Sequence, residues 1–329
     1  MVHYGDYLRL DKILDAQILE SDKLQQHAHD EMLFIIIHQA YELWFRQVLF
    51  EIKSVQEIMQ TPAINDNSPE LQTVVHRLSR VVTILKVLVH QVDIMESMTP
   101  MDFLDFRDML RPASGFQSWQ FKIIEASLGL KYADRHGHDY YLSQLKQEEV
   151  DMIKNAEAGK SLLELLNQWL ERMPFTDEER SWAEYKAAFA ESLSDAERKN
   201  EVYLKQIFEE PAEGAALSPE ANRAALFIML YRGYPILQLP FQLLNNLLEI
   251  DVQLSTWRYR HMNMVHRMIG TRIGTGGSTG KEYLKGAADK HYIFAEVARL
   301  SGFLIERRKL PQLGAEMERR LGFVQVQDP

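Results

Sequence analysis

The chain reads as an all-α protein of 329 residues, and three features predict that class. Apolar residues recur at spacings of three and four over long stretches, which gathers them on one face of a helix. Ser or Thr followed by Pro opens several of those stretches, the order of a capped helix N-terminus. No alternation of Val, Ile and Thr bounded by hairpin turns occurs, so no segment predicts a sheet.

Taken in order, the first strong helix runs from His29 to Met59, with Met32, Leu33, Ile36, Ile37, Ala40, Leu43, Trp44 and Val48 as its stripe. Phe34 to Ile37 alone could pass for a strand, but the helical period continues too far. A second helix opens at Ser68-Pro69-Glu70 and carries Leu71, Val74, Val75, Leu78, Val81, Val82, Leu85, Leu88, Val89 and Val92. Thr99-Pro100-Met101-Asp102 opens a third, which Pro112 limits. Ser114 and Gln117 have the spacing of a capping box and predict a fourth helix starting there. Further starts stand at Ser161 with Glu164 and at Ser218-Pro219-Glu220, and a last long helix runs from about Pro240 through Gly270. The stretch from Lys131 to Asn222 is richer in charge, Tyr, His and breakers. It reads as a more solvated helical insertion at about 131–222 within a single domain spanning 1–329.

Composition bounds the chemistry. Hydrophobic residues make up 46% of the chain, ample for a buried core. The absence of cysteine excludes disulfides, iron–sulfur clusters, thiolate-bound zinc or haem and covalent c-type haem attachment. A metal would have to be held by His, carboxylate or an organic cofactor. A net charge of −10 disfavours nucleic acid and anionic membranes as partners. The first residues lack the pattern of a signal peptide and no apolar run reaches membrane-spanning length, so a cytoplasmic protein is expected.

Three segments could carry chemistry, and each also has a plain structural reading. Phe34 and His38 lie four apart on one helical face; a lone His there is commonly a core residue, with Glu42 as its natural partner. Phe103 and Arg107 are likewise four apart beside Phe106. Arg107 could be an ion-pair residue of Asp105 or Asp108, or its guanidinium could clamp a carboxylate through paired donors. The strongest segment is Arg258 to Gly280. His261 shares a face with Leu254, Trp257, Val265 and Met268, an apolar wall suited to a flat hydrophobic cofactor, whereas His266, five residues on, points elsewhere. Gly274 to Gly280 with Lys281 invites a phosphate-loop reading, but Thr275 stands where the first glycine belongs and Glu282 where Ser or Thr is needed. The dinucleotide fingerprint fails too, with no preceding strand and Thr279 at the third glycine.

Tyr4 to Leu10, His29 to Trp44, Phe106 to Ser118, Trp257 to His261 and Gly274 to Gly280 together, in this order, resemble the tryptophan 2,3-dioxygenases over nearly the whole chain. The resemblance implies a helical haem-binding bundle of the tryptophan/indoleamine dioxygenase type, with haem b, ferrous in the active state. It implies insertion of both atoms of O2 across the indole C2–C3 bond of L-tryptophan to give N-formylkynurenine, the first step of tryptophan catabolism through kynurenine. By matching position His261 is the axial ligand of the haem iron, with Trp257 beside it. His38 faces the indole nitrogen and Phe34 packs on the indole ring. Arg107 holds the substrate carboxylate, Thr275 the ammonium and carboxylate end, and Phe103, Ser114 and Gly115 line the pocket. Tyr4 and Tyr7 match residues given by a neighbouring subunit, which implies a homotetramer. The glycine-rich loop is expected to close over bound substrate.

The sequence also departs from the family pattern. Phe103 stands where some bacterial members have Tyr, Arg111 replaces a small residue before Pro112, and Trp119 replaces a more usual Leu. Trp119 is large enough to alter packing near the pocket, which leaves the tolerance of ring-substituted tryptophans open. Two other readings remain at this level: a haem enzyme for simpler indoles or tyrosine-like substrates, and a haem sensor or helical scaffold.

Overall fold

The computed structural model describes residues 1–61, 68–136, 142–174, 179–198, 201–270, 272 and 281–321, and among these every regular element is helical. Three long helices form the frame: α4 (Glu31–Met59), α5 (Pro69–Met95) and α13 (Gln238–Ile269). Short helices α1 (Tyr4–Leu8), α2 (Leu10–Ile13) and α3 (Glu20–Lys23) precede them. Between the long ones come α6 (Pro100–Arg107), α7 (Trp119–Leu128), α8 (Gln147–Ala158), α9 (Leu162–Glu171), α10 (Glu179–Ser192), α11 (Glu201–Phe208) and α12 (Pro219–Leu230). The chain continues through α14 (Lys281–Lys290), α15 (Ala295–Arg299) and α16 (Ala315–Leu321).

Local chemistry accounts for the boundaries. Ser68 accepts a hydrogen bond from the Leu71 amide with Pro69 at the first helical position, and Ser218 does the same for Ala221 with Pro219. Thr99 and Asp102 form a reciprocal capping box, as do Ser161 and Glu164; such caps satisfy amides that a helix start leaves without partners. The Ser114 and Gln117 box does form, but it closes a single 3-10 turn over Gly115–Gln117. The expected fourth helix begins instead at Trp119, capped by Ser118. The end of α13 falls at Gly270, whose φ of 57° favours glycine.

Packing follows the apolar stripes. α5 runs against both α4 and α13, and Val48, Ile52, Val74, Leu78, Val81, Leu243, Leu247 and Ile250 close the seams between them with no side chain left exposed. From the 131–222 stretch, Leu162, Leu165, Leu166, Trp169, Tyr185 and Phe189 enter this same core. A smaller apolar cluster of Ala28, Ile37, Met95, Met98, Phe106 and Met268 lies where α4, α5, α6 and the end of α13 meet. Among the described residues no helix is long and apolar enough to cross a membrane.

Candidate functional site

α4, α5, α6, α7 and α13 leave a cavity of about 320 Å³ between them, with α14 along one side. Phe34, His38, Phe103, Arg107, Ser114, Gly115, Trp257 and His261 all line it. Residues far apart in the sequence, each singled out as one of a local pair, therefore share one hollow.

At one end aromatic rings form a wall. Phe34 lies 4.2 Å from the His38 ring, 5.7 Å from Phe103 in a stacked arrangement and 5.5 Å from Phe106 edge to face, centroid to centroid. Pairs of this geometry contribute about 0.5–1.5 kcal/mol each beyond area burial. Arg107 stands beside them with 4% of its surface exposed, at the last position of α6. Of its two expected structural partners, Asp108 is engaged by Arg111 at 3.2 Å.

His38 borders the hollow and is among the exposed side chains, with the Phe34 ring packed against its own. Burial pushes its pKa below the usual value, offset in part by a bond to the Phe34 carbonyl and by the charge of Glu42. The His38 Nδ1 sits 2.7 Å from the Phe34 carbonyl oxygen. A carbonyl can only accept, so Nδ1 carries the hydrogen and the neutral ring keeps its lone pair on Nε2. The expected structural partnership with Glu42 is replaced: the Glu42 carboxylate accepts from Gln120 at 2.8 Å.

On the opposing helix, Trp257 and His261 stack with centroids 5.0 Å apart and planes 4° from parallel. Phe121 and Tyr41 pack on the other sides of the Trp257 ring at 5.0 and 6.1 Å. Burial, with a smaller contribution from His38, pushes His261 down to about 4, so its imidazole is neutral at neutral pH. The His261 Nδ1 is buried with no hydrogen-bond partner among the described residues. An enclosed, neutral imidazole beside an apolar hollow has the chemistry of a single axial metal ligand. His266 is exposed and is not part of the cavity lining.

The 114–118 turn completes the lining. The Ser114 hydroxyl accepts from the Phe116 amide, and the Lys122 ammonium donates to the Phe116 carbonyl at 2.5 Å. A side-chain carbon at Gly115 would meet only open space, in keeping with its place at the cavity edge. Trp119 opens α7 and is not among the described residues that line the cavity, although Ser118 and Phe121 on either side of it are. Tyr4 and Tyr7 do not reach the cavity of their own chain; they are 72% and 75% exposed on α1. Thr275 and the rest of the glycine-rich loop lie outside the described residues.

Sequence reading missed one part of the wall: Lys122, Glu125, Arg135, Arg258 and His291. Glu125 and Lys122 sit in the run Phe121 to Leu130, otherwise almost wholly apolar. Charges inside such a run signal buried, paired groups. Burial alone would raise the Glu125 carboxyl, but Arg135, Arg258 and His291 hold it down at about 2. Lys122 is lowered to about 8, chiefly by burial, with Glu125 acting against the shift and Arg135 adding to it.

The family model for tryptophan 2,3-dioxygenase matches residues 1–213 and 212–304. Among curated relatives, tryptophan 2,3-dioxygenase of Alteromonas mediterranea is 45% identical, covering 98% of this chain and 97% of its own. That of Bdellovibrio bacteriovorus is 42% identical with 98% of each chain covered, and that of Xenopus tropicalis is 40% identical with 97% and 86% covered. Similarity of this extent over matching lengths, joined to one cavity lined by the paired residues of α4, α6 and α13, means that the chain belongs to the tryptophan 2,3-dioxygenase family.

Proposed function

We propose that this protein is a haem-dependent dioxygenase that cleaves the indole C2–C3 bond of L-tryptophan with O2 to give N-formylkynurenine. The observation that carries the reading is the convergence of Phe34, His38 and Arg107 in one cavity opposite His261. His261, with Trp257 stacked against it, would hold the iron of haem b. The haem supplies, when bound in the ferrous state, the site at which O2 is activated.

The remaining work falls to the chain. The aromatic wall of Phe34 and Phe103 accepts a flat indole and keeps water from it. The free Nε2 lone pair of His38 accepts the indole N–H, which sets the orientation of the ring. With its pKa lowered and its own proton on Nδ1 given to Phe34, His38 serves as an orienting partner rather than a proton donor. Arg107 offers paired donors to the substrate carboxylate, in a setting dry enough for charge-assisted bonds to be strong. Ser114 and Gly115 border haem and substrate. Thr275 is assigned the ammonium and carboxylate end by resemblance alone, and closure of its loop over substrate by the same reasoning.

The proposal includes a homotetramer in the cytoplasm, with Tyr4 and Tyr7 lent to a neighbour's site. What supports it is a set of large apolar side chains left exposed among the described residues: α1 buries no residue, and Ile36, Leu43, Phe50, Met101 and Tyr259 are exposed by 48% to 70%. Large exposed apolar patches mark association surfaces. Anaerobic titration of the ferrous protein with L-tryptophan, followed by admission of O2, tests the whole reading. A Soret shift on binding and then N-formylkynurenine absorbance is expected; a haem spectrum indifferent to tryptophan would refute it.

A further inference from the structure

The wall away from the aromatic end carries an ion cluster that the proposed chemistry leaves unused. Glu125 of α7 is 4% exposed and gives one carboxylate oxygen to each of two guanidiniums. Oε2 accepts from Arg135 at 2.5 Å and Oε1 from Arg258 at 2.6 Å. Arg258, itself 4% exposed, stands three residues before His261 on α13, so the two project from neighbouring turns toward the same hollow. Its other nitrogen donates to the His291 carbonyl at 2.9 Å, just beyond α14. His291 in turn places Nδ1 3.9 Å from Glu125 and accepts the His136 amide on Nε2 at 2.9 Å. One carboxylate thereby joins α7, the segment after it, the His261 turn of α13 and the end of α14.

His261 has no comparable tether. Among the described residues its Nδ1 is buried without a partner, and its ring rests against the Trp257 face. A stacked face restrains tilt but not sliding, and apolar helix seams tolerate small rotations. The direction of the imidazole therefore depends on how α13 is rotated, which a directional guanidinium–carboxylate bond fixes far better than apolar contact does.

We propose that Glu125 is a positioning residue for His261, acting through Arg258, and so sets the bond between the axial histidine and the haem iron. This rests on the haem reading given above. Replacing the carboxylate by an amide leaves Arg258 buried without its ion-pair partner, whereas Arg135 keeps Glu157 at 3.7 Å, and a buried cation deprived of its partner draws in water or moves. Arg258 and His261 stand one turn apart on α13, so a displacement of Arg258 that shifts its helical turn carries His261 with it. Arg135 shares the same carboxylate but lies off α13, so loosening it disturbs the cluster without turning the ligand.

The experiment compares Glu125→Gln, Arg258→Lys and Arg135→Lys with the wild type, all loaded with haem. Three readouts are taken: the ferrous iron–histidine stretching band, the rate of haem transfer to excess apomyoglobin, and the thermal midpoint. Glu125→Gln and Arg258→Lys are expected to shift the band and speed haem transfer on the order of tenfold, the scale of losses at residues supporting metal ligands. Arg135→Lys is expected to leave the band in place, whatever it does to the midpoint. An unshifted band in the first two, or an equal shift in Arg135→Lys, overturns the proposal and leaves a plain structural ion pair. If Glu125→Gln does not fold, the two arginine variants carry the comparison. A wild-type band absent or insensitive to His261→Ala overturns the haem reading itself, and the positioning role with it.

Discussion

Replacing Arg107 with Leu removes a cation that is 4% exposed in the cavity wall and leaves an aliphatic chain in its place. In the proposed complex that cation faces the tryptophan carboxylate. Charge-assisted hydrogen bonds in enclosed settings contribute about 1.5–3 kcal/mol each, and a guanidinium can make two in parallel. Removing one partner of a buried pair costs about 3–5 kcal/mol. At 1.36 kcal/mol per factor of ten, that is roughly 2.2 to 3.7 orders of magnitude in kcat/KM. The clamp holds the same carboxylate before and during the reaction, so the loss should fall mainly on KM. The assay is steady-state formation of N-formylkynurenine from L-tryptophan, set beside oxidation of tryptamine, which has the same ring and no carboxylate. Tryptamine turnover should change less than about tenfold, within about 1.4 kcal/mol, and the haem spectrum should not change. Equal losses for both substrates would refute the reasoning, because Arg107 would then be supporting the pocket rather than reading a charge.

Other outcomes follow from the same geometry. His38→Ala should lower kcat/KM by only about 2- to 12-fold, the 0.5–1.5 kcal/mol of one neutral hydrogen bond; a loss of many orders of magnitude would make His38 an obligatory base. Because burial holds the His38 pKa below its usual value, no activity transition from this group should appear between pH 6.5 and 8, which a pH profile of kcat/KM checks. Asp251 is buried and pushed up to about 6 by that burial, although it accepts the Ile293 and Phe294 amides. Its raised pKa favours the folded state at low pH. That stability is fully present below about pH 4 and lost as pH rises through about 6, amounting to about 3 kcal/mol for a shift of about two units. Denaturant melts at pH 4 and pH 7 should show this loss in the wild type and not in Asp251→Asn. Gly286→Ala would drive a methyl group into the His136 ring; a destabilisation of about 1–3 kcal/mol is expected, read as a lower thermal midpoint.

Much of this architecture could be read before any coordinates, because its signals are local. Helix stripes, caps at Ser68, Thr99, Ser161 and Ser218, and the glycine stop at Gly270 depend on residues within one or two turns of each other. The one misplaced start, Ser114 for Ser118, shows the limit of such signals. A capping box satisfies the first amides of any helical turn, and it does not say whether the turn continues. Pairs such as Phe34 with His38 were equally visible as shared faces. Their partners were not, since Glu42 served His38 on paper and serves Gln120 in the fold.

By itself, then, the sequence determined an all-α class, the three long helices and the capped starts of α5, α6, α9 and α12, the exclusion of thiolate chemistry and the family to which the motifs belong. Only tertiary structure decided that the faces of α4, α6 and α13 meet around one hollow, that Tyr4 and Tyr7 stay outside it, and that Glu125 binds Arg135 and Arg258 behind His261. The reason is physical: periodicity reports which side of a helix avoids water, but not which other side it meets. A buried charge is tolerable only because of partners that the chain supplies from distant segments.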